Sequence, residues 1–128
     1  MSSKLDILLV DDEKEFIQAL AERLELRGFE PRIALSGEEA LDMVQSHVPD
    51  VVVLDLKMPG IDGLEVLRRL KRDWPRARVI MVTGHGSHRD AEMARTLGAF
   101  EYLQKPVDIQ ELLDAMMRAS TAEQGHGR

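Results

Sequence analysis

Five times along the chain a short apolar run gives way to a stretch whose apolar residues recur every three or four positions. That alternation constrains the fold more than any other feature. Strands joined through helices pair in parallel, and the helices then cover both faces of the sheet. Right-handed crossovers leave few topologies. The expected fold class is α/β, a doubly wound five-stranded parallel sheet. The middle run, Val51-Val52-Val53-Leu54, is apolar throughout, as a strand buried on both faces should be. It stops at Asp55, and Pro59-Gly60 turns the chain soon after. Asp55 therefore belongs at the C-terminal rim of the sheet, where ligands collect in open α/β folds. A lone carboxylate there is costly to bury without partners.

The other runs fit the same scheme. Leu5 to Val10 is a strand ending at Asp11, Asp12 and Glu13. The following helix carries Phe16, Ile17, Leu20 and Leu24 on one face and closes at Gly28. Phe29 to Leu35 is the second strand. Ser36 to Glu39 has capping-box spacing, and Ala40, Leu41, Val44 and Val48 form the buried stripe of the second helix, stopped by Pro49. Asp62 to Glu65 repeats that spacing ahead of Leu64, Leu67 and Leu70, and Trp74-Pro75 ends this helix. Arg78 to Val82 is a strand reaching Thr83-Gly84-His85-Gly86. A helix from Ser87 to Leu97 carries Met93 and Ala94 and closes at Gly98. Ala99 to Leu103 is the last strand and runs into Gln104-Lys105-Pro106. Asp108 and Glu111 cap a final helix that buries Leu112, Leu113 and Met116. Ser120 to Arg128 is small and polar and reads as a frayed tail. No repeat or linker divides the 128 residues, so a single domain is expected, with its core at about 4–119.

Charge and composition narrow the function. Asp and Glu outnumber Lys and Arg by 23 to 17, a net charge of -6, which argues against direct nucleic-acid binding. No cysteine is present, which removes disulfides and thiol metal sites. No run approaches the ~20 apolar residues of a membrane span. A cytoplasmic protein without membrane contact is expected.

Because the strands are parallel, their C-terminal ends share one edge. That edge brings together Asp11, Asp12, Asp55, Thr83 and Lys105. Converging carboxylates repel and raise proton affinity. Mg²⁺ relieves that repulsion, since it takes oxygen ligands and completes its shell with water or phosphate. A carboxylate beside it can attack phosphorus, and a lysine and a hydroxyl can hold the phosphoryl oxygens. Asp12 with Glu15 also has capping spacing, so the residues alone leave Asp12 two roles: starting a helix or joining the site.

The sequence resembles the receiver domains of bacterial two-component response regulators. The resemblance rests on Leu9-Val10-Asp11-Asp12-Glu13, Leu54 to Gly63, Val82 to Gly86, and Tyr102 to Pro106, and it spans roughly Lys4 to Ala119. It implies a flavodoxin-like (βα)5 three-layer sandwich with strand order 2-1-3-4-5, and a cis Lys105-Pro106 bond. It implies that Asp55 is the phosphoacceptor. Asp11, Asp12, Asp55 and the backbone carbonyl of Lys57 would hold Mg²⁺, and Lys105 would bind the phosphoryl group. Thr83 and Tyr102 would be the switch pair. The implied partners are a sensor histidine kinase or histidine phosphotransfer protein, and an output domain or target. The helix from Ser87, the strand ending at Tyr102 and the last helix would form the switching face, and a homodimer through that face is consistent with the family. Lys57 and His85, two residues beyond Asp55 and Thr83, would flank the phosphoryl group and tune its lifetime. In this reading the domain is a signalling phosphoacceptor that assists its own phosphorylation and dephosphorylation, and is not a turnover enzyme.

Three other classes fit less well. An FMN carrier shares the topology, but Asp11-Asp12-Glu13 would repel the flavin phosphate. A phosphatase with an aspartate nucleophile spaces its two acids two residues apart after the first strand, and here they are adjacent. A receiver fold used only for binding would not need the full set of acids, hydroxyl and lysine.

Overall fold

A computed structural model of the chain describes residues 5–84 and 86–121. Five strands alternate with five helices. The strands are β1 (Ile7–Val10), β2 (Arg32–Ala34), β3 (Val51–Leu54), β4 (Arg78–Thr83) and β5 (Glu101–Gln104). The helices are α1 (Lys14–Glu25), α2 (Gly37–Ser46), α3 (Gly63–Asp73), α4 (His88–Thr96) and α5 (Ile109–Thr121). All pairings are parallel and the order is β2-β1-β3-β4-β5.

Strand alternation divides the interior in two. Leu8, Val10, Val52, Leu54, Val79 and Met81 pack against α2, α3 and α4. Ile7, Leu9, Val51, Val53, Ile80 and Val82 pack against α1 and α5. The sheet is thus the middle of three layers, and β1, β3 and the inner part of β4 are buried on both faces. Each large aliphatic side chain buried there contributes about 1.5–3 kcal/mol.

Local chemistry sets the helix ends. Ser36 and Asp62 accept hydrogen bonds from the Glu39 and Glu65 N–H groups, and Ser87 with Asp90 forms a reciprocal capping box. The helix α1 departs from expectation. Its N-cap is Glu13, so Asp12 does not start the helix. Other differences are small. The strands β1 and β2 are shorter than their apolar runs. Asp6 precedes β1, and its carboxylate engages Arg32 and His47. Val48 lies beyond α2 and is exposed, as is Met93 on α4, while Val66 is the buried α3 residue that the leucine spacing missed. The last helix continues through Ser120 to Thr121; residues 122–128 and Lys4 lie outside the described residues.

Candidate functional site

Register brings the site together. Val10 pairs with Leu54, and Leu54 with Met81, so β1, β3 and β4 reach the rim side by side. The ladder runs one step further: the Asp55 N–H donates to the Val10 carbonyl at 3.0 Å, and the Asp11 N–H to the Ala34 carbonyl at 3.1 Å. Asp11 and Asp55 thereby continue the strand positions that face α1 and α5. Tyr102 lies in the opposite set, packed toward the layer of α4. Gly63 fixes the turn after Asp55. A Cβ there would collide with the Asp55 carbonyl, so the absence of a side chain lets α3 start directly against the end of β3.

Asp55 is 3 % exposed and Asp11 2 %. Burial pushes the Asp55 carboxyl above its ordinary range and the neighbouring Asp11 charge adds to it; Lys105, Thr83 and the Leu56 N–H oppose the shift. The Leu56 N–H donates to Asp55 Oδ1 at 2.8 Å. Burial raises Asp11 as well, against the Lys105 cation and the Glu13 N–H, which donates to Asp11 Oδ1 at 2.8 Å. Lys105 is the only cation paired with these two acids among the described residues. Its Nζ lies 2.8 Å from Asp11 Oδ2, 2.5 Å from Glu13 Oε1 and 3.9 Å from Asp55 Oδ2. Burial works against the Lys105 charge, and the hydrogen bonds to Asp11 and Glu13 outweigh it, holding its pKa above the ordinary value. The Lys105-Pro106 peptide is cis.

Asp12 is exposed, yet one oxygen each of Asp11, Asp12 and Asp55 lie within 4.8 Å of one another. Three carboxylates, two of them buried with raised proton affinity, fit a hard divalent cation. Thr83 is buried and its hydroxyl is hydrogen-bonded to Asp55. Tyr102 points its hydroxyl inward, where the oxygen is buried and finds no hydrogen-bond partner among the described residues. Gly86 makes room for it: a Cβ at Gly86 would overlap Tyr102 Oη and approach Thr83 Cγ2 to 3.0 Å. Lys57 is exposed on the loop after Asp55, and its charge reaches Asp90 at the start of α4. His85 lies outside the described residues. Two groups at the site have no role in the motif reading. Glu13 holds Lys105, and Phe16 lies under the same ammonium, 4.3 Å from ring centroid to Nζ. The only hint in sequence was the third acid directly after Asp11-Asp12.

A doubly wound parallel sheet with two buried acids, an outer acid, a hydroxyl and a lysine on one rim is the architecture of a phosphoryl-accepting signalling domain. The chain belongs to the response regulator receiver domain family, whose model matches residues 7–117. The sporulation initiation phosphotransferase F of Bacillus subtilis is 38 % identical over 112 residues, 88 % of this chain and 90 % of that one. The photosynthetic apparatus regulatory protein RegA of Rhodobacter capsulatus is 35 % identical over 122 residues, covering 95 % of this chain and 66 % of RegA. Among solved structures, a Burkholderia pseudomallei response regulator with a phosphorylated aspartic acid, calcium ion and citrate superposes with a TM-score of 0.83 at 33 % identity, over 92 % of this chain and 69 % of that one. The chain spans only part of several curated relatives, 54 % of the response regulator MprA of Mycolicibacterium vanbaalenii among them. The general function of the family is acceptance of a phosphoryl group on an aspartate in two-component signalling. No helix among the described residues is long and apolar enough to cross a membrane.

Proposed function

We propose that Asp55 is the phosphoacceptor of this receiver domain. The observation that carries the reading is the buried Asp55 carboxylate, adjoining Asp11, hydrogen-bonded by Thr83 and 3.9 Å from the Lys105 ammonium. A carboxylate oxygen of Asp55 forms the new P–O bond as the donor's bond to phosphorus breaks. Lys105 and Thr83 then donate to the phosphoryl oxygens. Asp11, Asp12, Asp55 and the Lys57 backbone carbonyl would hold Mg²⁺. The ion, when bound, neutralises charge on the phosphoryl oxygens. The phosphorylated aspartic acid and calcium ion of the Burkholderia pseudomallei relative support the assignment.

Thr83 and Tyr102 are the proposed switch pair. Movement of the Thr83 hydroxyl toward a phosphoryl group changes the space beside Tyr102, and the face formed by α4, β5 and α5 shifts in population rather than in fold. Lys57 and His85 are proposed to tune the lifetime of the acyl phosphate and with it the domain's own dephosphorylation. The proposed donor is a sensor histidine kinase or a histidine phosphotransfer protein. The proposed receiver of the signal is an output domain or target protein, met through the same face, through which a homodimer would also form. The proposed setting is a single cytoplasmic receiver domain that binds no nucleic acid itself. Incubation with acetyl phosphate should add one phosphoryl group by intact-mass spectrometry. No adduct should form when a chelator replaces Mg²⁺, or in Asp55→Asn. Equal labelling of Asp55→Asn would refute the assignment.

A further inference from the structure

The Lys105 ammonium is held away from Asp55. It has three N–H donors. Asp11 Oδ2 and Glu13 Oε1 lie at 2.8 and 2.5 Å, while Asp55 Oδ2 lies at 3.9 Å, beyond hydrogen-bond reach. The Phe16 ring lies 4.3 Å away on the α1 side, within range for a cation–π contact. The lysine side chain is only 12 % exposed, so water does little to weaken its contact with buried Asp11. Glu13 is the outermost partner, 57 % exposed. It occupies the N-cap of α1 but makes no capping hydrogen bond with its side chain; the carboxylate reaches Lys105 instead.

From this geometry we infer that Glu13 and Phe16 are positioning residues that restrain Lys105 against the β1–α1 segment, and so oppose its engagement with a group on Asp55. The inference rests on Asp55 as the phosphoryl site. Drawing the ammonium toward a phosphoryl oxygen on Asp55 lengthens its contact with Glu13. Glu13 and the phosphoryl group thus compete for one cation. Phe16 adds a neutral hold in the same direction. The loop after β1 therefore carries two opposed functions: Asp11 and Asp12 prepare the site for an anion, and Glu13 and Phe16 withhold its lysine.

The test is titration with beryllofluoride at saturating Mg²⁺, followed by amide NMR. Glu13→Gln keeps the shape and removes the charge. It should tighten binding by roughly threefold to tenfold, the range of a charge-assisted hydrogen bond partly open to solvent. Phe16→Leu removes no charge and should tighten it less, in the same direction. Deleting Glu13 also reduces the negative field at the site, so the pair Glu13→Gln with Lys105→Met decides the cause. If Glu13 acts through the lysine, Glu13→Gln has no effect in the Lys105→Met background. An equal gain in both backgrounds, or no gain in Glu13→Gln alone, overturns the inference while Asp55 stands. Failure of the unaltered protein to bind beryllofluoride overturns the Asp55 reading and the restraint with it.

Discussion

Asp55 and Asp11 set the electrostatic character of the rim. Both carboxyls are buried and both titrate above the ordinary aspartate value. A raised folded pKa means that the folded state holds the proton more tightly than the unfolded chain. Stability from this source is present at low pH and is lost as pH rises from about 3.8 through the raised value. Without a divalent cation, the pair therefore costs stability at neutral pH. Asp55→Asn removes one charge and should raise the melting temperature at pH 7 by about 3–5 °C, roughly 1 kcal/mol for a domain of this size. The difference from the parent protein should shrink as pH falls toward 4. Thermal melts across pH check this, and a less stable Asp55→Asn at pH 7 would contradict it. Sequence made the acids, the hydroxyl and the lysine legible because each lies at or just beyond the end of a strand. Glu13 and Phe16 were not legible as partners of Lys105, because their role depends on where a side chain just beyond β5 crosses to the start of α1.

Among the elements, Gly86 ahead of α4 packs closely against Tyr102 of β5. Gly86 has no side chain, and the Tyr102 hydroxyl fills the space a Cβ would take. Gly86→Ala should expel the ring. Burial, then the nearby Asp90 and Asp55 charges, hold the Tyr102 phenol above its ordinary pKa, so expulsion should lower it. Tyr102 is the only tyrosine, and an ultraviolet titration reads it alone. An unchanged titration in Gly86→Ala would mean that the slot does not hold the ring. The strands and helices themselves were largely legible, because parallel strands buried on both faces leave a continuous apolar signature, as in Val51 to Leu54. Ends were less so. Val48 looked like a fourth member of the α2 stripe, but the helix ends at Ser46 before reaching it. Asp12 had capping as one of its two possible roles, and the N-cap of α1 is instead Glu13.

Over the whole molecule, two separate hydrophobic layers clasp one sheet. The site lies at the sheet edge between them. Asp11 and Asp55 continue the layer of α1 and α5, and Tyr102 belongs to the layer of α4. A signal passing from Asp55 through Thr83 to Tyr102 therefore crosses the sheet. Beryllofluoride with Mg²⁺ should shift amide resonances around Asp55 and also along α4 and β5, including Ala94 and Tyr102. Shifts confined to the loop after Asp55 would contradict such a path. All of this depends on which side chain carries the phosphoryl group. The most direct measurement is to phosphorylate the protein with acetyl phosphate and Mg²⁺, trap the acyl phosphate by borohydride reduction, and map the reduced residue by peptide mass spectrometry. The expected result is reduction at Asp55 alone; reduction at Asp11, Asp12 or any other residue, with Asp55 intact, would contradict it.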